Sequence, residues 1–255
     1  VPWLMANPQV SDVLLTGADP MISSAAVLRK FIEPLLAVPS VKSISISTKS
    51  LSWWPFRYTQ QQDADELLRL FDEVVSTGKH LNIPAHITHP RELEHPEVEN
   101  AARRILQTGA NIRTQGPILK GVNDRIDIWS TMWDRQVQLG MVPYYMFVEA
   151  DQRPNLETRL SMAACLRIFK GAQRQATTLA RSVRGPVIMY DLNRTQITGT
   201  TTLNGERFFV LKTLQCPPGF TTEGDVLLVP FDADAQHIGN MHSMFNSKVK
   251  EGLVP

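Results

Sequence analysis

Cysteine is almost missing: the chain of 255 residues holds two, Cys165 and Cys216. Thiols that far apart give neither a disulfide framework nor a Cys-based metal site. Long apolar runs are missing too. No stretch reaches the ~18 residues of a membrane-crossing helix, and VPWLMANPQV at the start lacks the basic-then-apolar order of a secretory signal. An excess of one charge is also lacking: 26 Lys and Arg against 25 Asp and Glu leave +1. That balance calls for neither nucleic acid nor a membrane surface as partner, and no acidic tail is present. These exclusions make the cytoplasm the expected location. No repeat strong enough for a solenoid is visible. What the chain does have is 43% hydrophobic residues, enough for one large core in the size range of single-domain α/β barrels.

The patterning alternates. Val13–Thr16 is a short apolar strand, and Ser24–Leu36 carries apolar residues at helical spacing before Pro39. Val41–Thr48 alternates with period two, Asp63–Thr77 is an amphipathic helix stopped by Gly78, and Leu81–His86 is a strand. Pro96–Thr108 (helix), Ala110–Gln115 (strand), Asp127–Leu139 (helix), Val142–Glu149 (strand), Leu160–Ala180 (helix) and Pro186–Tyr190 (strand) continue the series. Strand and helix taking turns predicts parallel βαβ units. After Asp191 the pattern changes: Thr195–Leu203 and Arg207–Leu214 flank Asn204-Gly205, a hairpin signal, with one more apolar run at Val226–Val229. The expected division is an α/β body over 1–191 and a β extension with a tail over 192–255.

In such bodies ligands bind where the strands end. Those ends are polar: Thr16-Gly17-Ala18-Asp19-Pro20, then Thr48-Lys49, His86 through His89, Gln115 followed by Lys120 to Asp124, the Glu149–Asp151 region, and Asp191. Asp151 and Asp191 suit a substrate ammonium, with helix capping as the plain alternative. His86 and His89 point to opposite faces if both lie on a strand, which disfavours a metal pair. Asp19-Pro20 on its own reads as a turn. Asn123 and Asp124 read as loop and cap residues, Trp53 to Phe56 as packing under a loop, and Tyr144 and Tyr145 as pointing to opposite layers.

Five stretches carry a resemblance: DVLLTGADP, PSVKSISISTKSLSWWPFRYT, GKHLNIPAHITHPRELE, TGANIRTQGPILKGVND and LGMVPYYMFVEAD. In order and spacing they resemble the radical S-adenosylmethionine (SAM) enzymes of the lysine 2,3-aminomutase group, over about residues 5–191. The resemblance implies a partial (β/α)6 TIM-like barrel. It implies a 4Fe–4S cluster held by a CxxxCxxC loop and capped by S-adenosylmethionine, whose reductive cleavage gives a 5′-deoxyadenosyl radical that takes hydrogen from the substrate. The class is isomerase, amino-group migration or a related hydrogen abstraction on an amino-acid-like small molecule. The reductant would be of flavodoxin or ferredoxin type, and a homo-oligomer is left open. By the same resemblance Thr16, Gly17, Ala18 and Asp19 form the turn that meets the methionyl ammonium. Ala18 stands where a second glycine is usual. Thr48, His86, His89 and Gln115 would face the adenosine or methionine parts, and Tyr145, Asp151 and Asp191 the substrate. No catalytic residue and no metal ligand is assigned.

The chain departs from that pattern at three places. It has no CxxxCxxC, and a cluster needs thiolate ligands; the expectation is a fragment whose cluster segment lies upstream, inactive alone. The stretch LNRTQIT after Asp191 lacks the lysine that pyridoxal phosphate chemistry needs. QRPNLETR after Asp151 does not match the usual substrate segment. Two other readings stay open: a non-catalytic scaffold barrel without the cluster site, and an ordinary TIM-barrel lyase or aldolase using the rim acids and histidines.

Overall fold

A computed structural model describes residues 1–148, 156–190, 193–216 and 226–236. It falls into two compact units, Val1–Gln115 with Met132–Pro143, and Gly116–Thr131 with Tyr144–Pro255.

The first unit begins with a short helix, α1 (Pro2–Ala6), and strand β1 (Asp12–Leu15). Helix α2 (Ala25–Leu36) starts where the Ser24 hydroxyl accepts from Val27 N–H and buries Leu28, Ile32 and Leu35. Strand β2 (Ser43–Ile46) is followed by one helical turn, α3 (Ser50–Trp53), and a 3₁₀ turn over Pro55–Tyr58. Helix α4 (Ala64–Ser76) buries Leu67, Leu70, Phe71 and Val74 at helical spacing and packs on α2 and on strand β3 (His80–His86). Helix α5 (Pro96–Gln107) opens on Pro96, its N-cap His95 accepting from Glu97 N–H at 3.1 Å. Strand β4 (Asn111–Ile118) follows.

Strands β1 to β4 pair in parallel, each with the next. Because side chains alternate across a strand, the shared register sorts two faces. Ile44, Ile46, Leu81, Ile83, Ala85 and Ile112 are buried on one. Ser43, Ser45, Asn82, Pro84, His86, Arg113 and Gln115 stand half-buried or exposed on the other. Parallel sheets are ordinarily buried on both faces and read as continuous apolar runs. Here the period of two in VKSISIST and HLNIPAH marks a sheet with one apolar side and one polar side. The apolar side is worth about 1.5–3 kcal/mol for each fully buried Leu or Ile.

Helix α6 (Ile126–Gln138) and strand β5 (Val142–Val148) come next in the chain. In the second unit, helix α7 (Met162–Gln175) packs on β6 (Arg184–Tyr190) and β7 (Asn193–Leu203). Strand β6 pairs in parallel with β5 and antiparallel with β7, so the strand direction reverses there. Strands β8 (Glu206–Gln215) and β9 (Val226–Pro230) extend the antiparallel part. Asn204 at φ 50 and Gly205 at φ 83 close the β7–β8 hairpin, the two left-handed positions that such a turn demands. The α/β class with parallel strands and the antiparallel extension after Asp191 thus match the sequence reading.

Helix α7 is shorter than the periodicity predicts. It starts after the Ser161 cap rather than at Leu160, and it ends at Gln175, where Ala176 turns extended (ψ 156) and its carbonyl accepts from Arg181 Nε at 2.8 Å. Tyr144 and Tyr145 also differ from simple alternation. Their ring centroids lie 4.0 Å apart where the β5–β6 register shifts.

Candidate functional site

Backbone hydrogen bonds carry the four strand ends of the first unit to one edge. Ser47 N–H donates to Leu15 O at 3.0 Å, His86 N–H to Thr48 O at 2.8 Å, and Ile87 N–H to Gln115 O at 2.9 Å. His86 and Gln115 are register partners on the polar face. The turn after β1, the Thr48 loop, His86 and Gln115 therefore stand side by side.

The turn itself is exposed at Thr16, Gly17 and Ala18. Gly17 sits at φ +125, a conformation closed to side chains with a Cβ, and a Cβ built there would meet nothing within 4 Å. Ala18 takes no positive φ. The turn thus offers bare backbone to open space. Asp19 is different. Its carboxylate accepts from Met21 N–H (3.0 Å), Lys49 N–H (2.7 Å), Ser50 N–H (3.1 Å) and the Thr48 hydroxyl (2.7 Å). A carboxylate has about four lone-pair sites, and these donors fill them.

Behind that contact lies a buried polar string. The Thr48 and Ser50 hydroxyls are 2.6 Å apart, and Ser50 is 2.7 Å from the Tyr58 hydroxyl. Burial pushes the Tyr58 phenol up to about 12, so it keeps its proton. Arg57, 1% exposed, is paired with Asp63 at 2.7 Å. Burial works to raise the Asp63 carboxyl, but Ala25 N–H and the Arg57 guanidinium outweigh it and hold it below the usual carboxylate range. Lys49 meets Glu92 at 2.9 Å, and Glu92 also accepts from Thr88 N–H. Burial raises Glu92; the Lys49 ammonium more than offsets it, and the net shift is downward. Sequence reasoning missed Ser50, Arg57, Tyr58, Asp63 and Glu92. An arginine set among Trp54, Pro55 and Phe56 with an aspartate six positions on was the available signal.

His89 caps a 3₁₀ turn, its Nδ1 accepting from Arg91 N–H at 3.2 Å, so only its other ring nitrogen is left for a ligand. Tyr145, in the second unit, is buried beside Tyr144 and Phe147, with the Arg194 guanidinium 5.7 Å from its ring centre. Asn123 accepts from Leu119 N–H and donates to Pro117 O, bracing its own loop. Asp151 and Asp191 lie outside the described residues. The LNRTQIT stretch enters β7 at Asn193, a strand rather than a glycine-rich loop. Among the described residues no helix is long and apolar enough to cross a membrane, and no group of three His, Cys, Asp or Glu is placed to hold a metal ion.

No family model matches the chain. Among curated proteins, it is 30% identical over 199 residues to one described as "Putative L-lysine 2,3-aminomutase" of Aquifex aeolicus, covering 78% of this chain and 52% of that protein. It is 28% identical over 147 residues to the L-lysine 2,3-aminomutase of Fusobacterium nucleatum, covering 58% of this chain and 32% of the other. The chain spans about half the length of the first of these relatives. Among solved structures, a radical SAM methyltransferase from Sphaerobacter thermophilus aligns over 69% of this chain and 51% of its own, at 15% identity and a TM-score of 0.42. On the sequence relatives and the five matching stretches, the chain resembles the lysine 2,3-aminomutase group.

Proposed function

We propose that this chain forms the S-adenosylmethionine-cradling part of a radical SAM enzyme acting on an amino-acid-like substrate. The observation that carries the reading is the meeting of the β1 turn, headed by the open Gly17, with Thr48, His86 and Gln115 on a sheet face that is mostly polar. Backbone groups of Thr16, Gly17 and Ala18 are suited to a methionyl ammonium, and His86 and Gln115 to the ribose and base. The Asp19 side chain serves the turn rather than the ligand. Tyr145, Asp151 and Asp191 are assigned to the substrate by resemblance.

S-adenosylmethionine fits the residues present and, when bound beside a reduced cluster, would supply hydrogen-atom abstraction. The iron–sulfur cluster does not fit them. Of the two cysteines, Cys165 is buried in α7 with its thiol pushed up to about 12 by that burial, the reverse of a ready thiolate. Cluster ligands would have to come from outside these 255 residues. Pyridoxal phosphate has no lysine in LNRTQIT to receive it.

Calorimetric titration of the chain with S-adenosylhomocysteine tests the cradle: one site is expected, and no heat at any concentration would overturn the reading. Anaerobic iron and sulfide reconstitution of the longest native protein containing the chain tests the chemistry. Release of 5′-deoxyadenosine on reduction is expected. Its absence, with ligand still bound, would favour the scaffold reading.

A further inference from the structure

Apart from Thr48, which the resemblance turns toward the cofactor, the segment TKSLSWWPFRY, residues 48–58, has no ligand role in the reading above, yet it grips the β1 turn from two sides. From one side, Thr48 Oγ1 and the N–H groups of Lys49 and Ser50 hold the Asp19 carboxylate. From the other, Arg57 Nε donates to Met21 O at 2.9 Å and Nη2 to Ser23 O at 3.1 Å. The same guanidinium holds Asp63, whose Oδ2 accepts from Ala25 N–H at 2.6 Å. The contacts made to Asp19, Met21, Ser23 and Ala25 from this side all span about 30 positions or more, so they do not arise from the turn's own local preference.

The direction of the hydroxyl string follows from chemistry. A carboxylate only accepts, so Thr48 gives its proton to Asp19. Ser50 then gives its proton to Thr48, and Tyr58 gives its own to Ser50. The turn between these anchors contains Gly17, which on its own has wide backbone freedom and loses much of it when a ligand binds. Fixing the flanks before binding removes that loss.

We propose that Thr48 and Arg57 are positioning residues that pin the Thr16–Asp19 backbone in its ligand-ready form, Thr48 through the Asp19 side chain and Arg57 through the Met21 and Ser23 carbonyls just beyond it. The identity of the ligand rests on the proposed function; the pinning does not.

Thr48→Val removes one hydroxyl at nearly constant volume, and Thr48→Ser restores it. Two measurements are made on the full chain: S-adenosylhomocysteine affinity by calorimetry, and amide exchange over residues 16–22 compared with α5. For T48V, affinity about tenfold weaker and turn exchange about tenfold faster are expected, with α5 unchanged and both effects reversed in T48S. Wild-type exchange and affinity in T48V would overturn the proposal. Faster turn exchange with no ligand binding in any variant would keep the pinning and sink the cofactor reading. If T48V loosens α5 as well, Asp19→Asn decides: a turn as protected as wild-type would overturn the proposal, and a selectively loosened turn would support it.

Discussion

The β1 turn and the β7–β8 hairpin are both short connections built on a glycine at positive φ, yet they are held in different ways. The hairpin is self-sufficient. Asn204 and Gly205 supply the turn, and antiparallel pairing runs from Leu203↔Glu206 back along both strands. The β1 turn has little local support beyond the Asp19 bond to Met21 N–H. Its shape depends on Thr48, Arg57 and Asp63, about 30 to 45 positions later. A turn that serves the fold can be written in two residues. One that serves a ligand needs fixed backbone without side chains in the way, so its restraint comes from elsewhere.

The largest test of this contrast is Arg57→Met. It leaves Asp63, Met21 O and Ser23 O without their buried donor and should cost about 3–5 kcal/mol in urea unfolding. Thr198→Val in the hairpin, which deletes an exposed hydroxyl donating to Val210 O, should cost no more than about 1 kcal/mol. Equal losses at the two sites would erase the distinction.

Next come the glycines. Gly17→Ala and Gly205→Ala each force an L residue into positive φ with no steric neighbour, at about 1–2 kcal/mol. Only G17A should weaken S-adenosylhomocysteine binding. A matching loss in G205A would show that the ligand reports general stability rather than the cradle.

Acid should act on the first of these regions. Asp63 and Glu92 both titrate below their ordinary values of 3.8 and 4.5. A carboxyl depressed in the fold stabilises above its unfolded value, and that stabilisation is lost as pH falls through the folded one. Urea midpoints should therefore drop as pH passes down through and below the ordinary carboxylate range, and the part due to Asp63 should vanish in R57M. A midpoint indifferent to acid would contradict these pairings. The smallest effect is expected from Lys49→Met. Its partner Glu92 is 24% exposed and Lys49 itself 40%, so its loss should cost about 1 kcal/mol or less.

The same contrast sets what the sequence disclosed. Periodicity located the strands of the first unit and α2, α4 and α5, because each buries its apolar face by a repeat of two or of 3.6. Asn204-Gly205 announced the hairpin outright. The rim positions Thr16 to Asp19, Thr48 and His86 were legible because polar residues close or follow each strand; Gln115, read as a strand end, lies inside β4, which runs on to Ile118. The clamp was not legible. Arg57 looks like one more charge in an aromatic loop until it is seen 1% exposed, and Asp19 looks like a ligand until the donors to its carboxylate are counted. Tertiary side-chain bonds of this kind leave no period. The end of α7 was hidden for another reason: Ala176 turns extended with no glycine or proline beside it to mark the stop.

The order of protons from Tyr58 to Asp19 has one last consequence. Every dipole in that string aims its positive end at the same carboxylate, and the acid at its terminus has no proton to send back, so the arrangement has a single polarity. Whatever molecule settles on the turn meets an electric field established during folding, and nothing in the string needs to swivel to receive it.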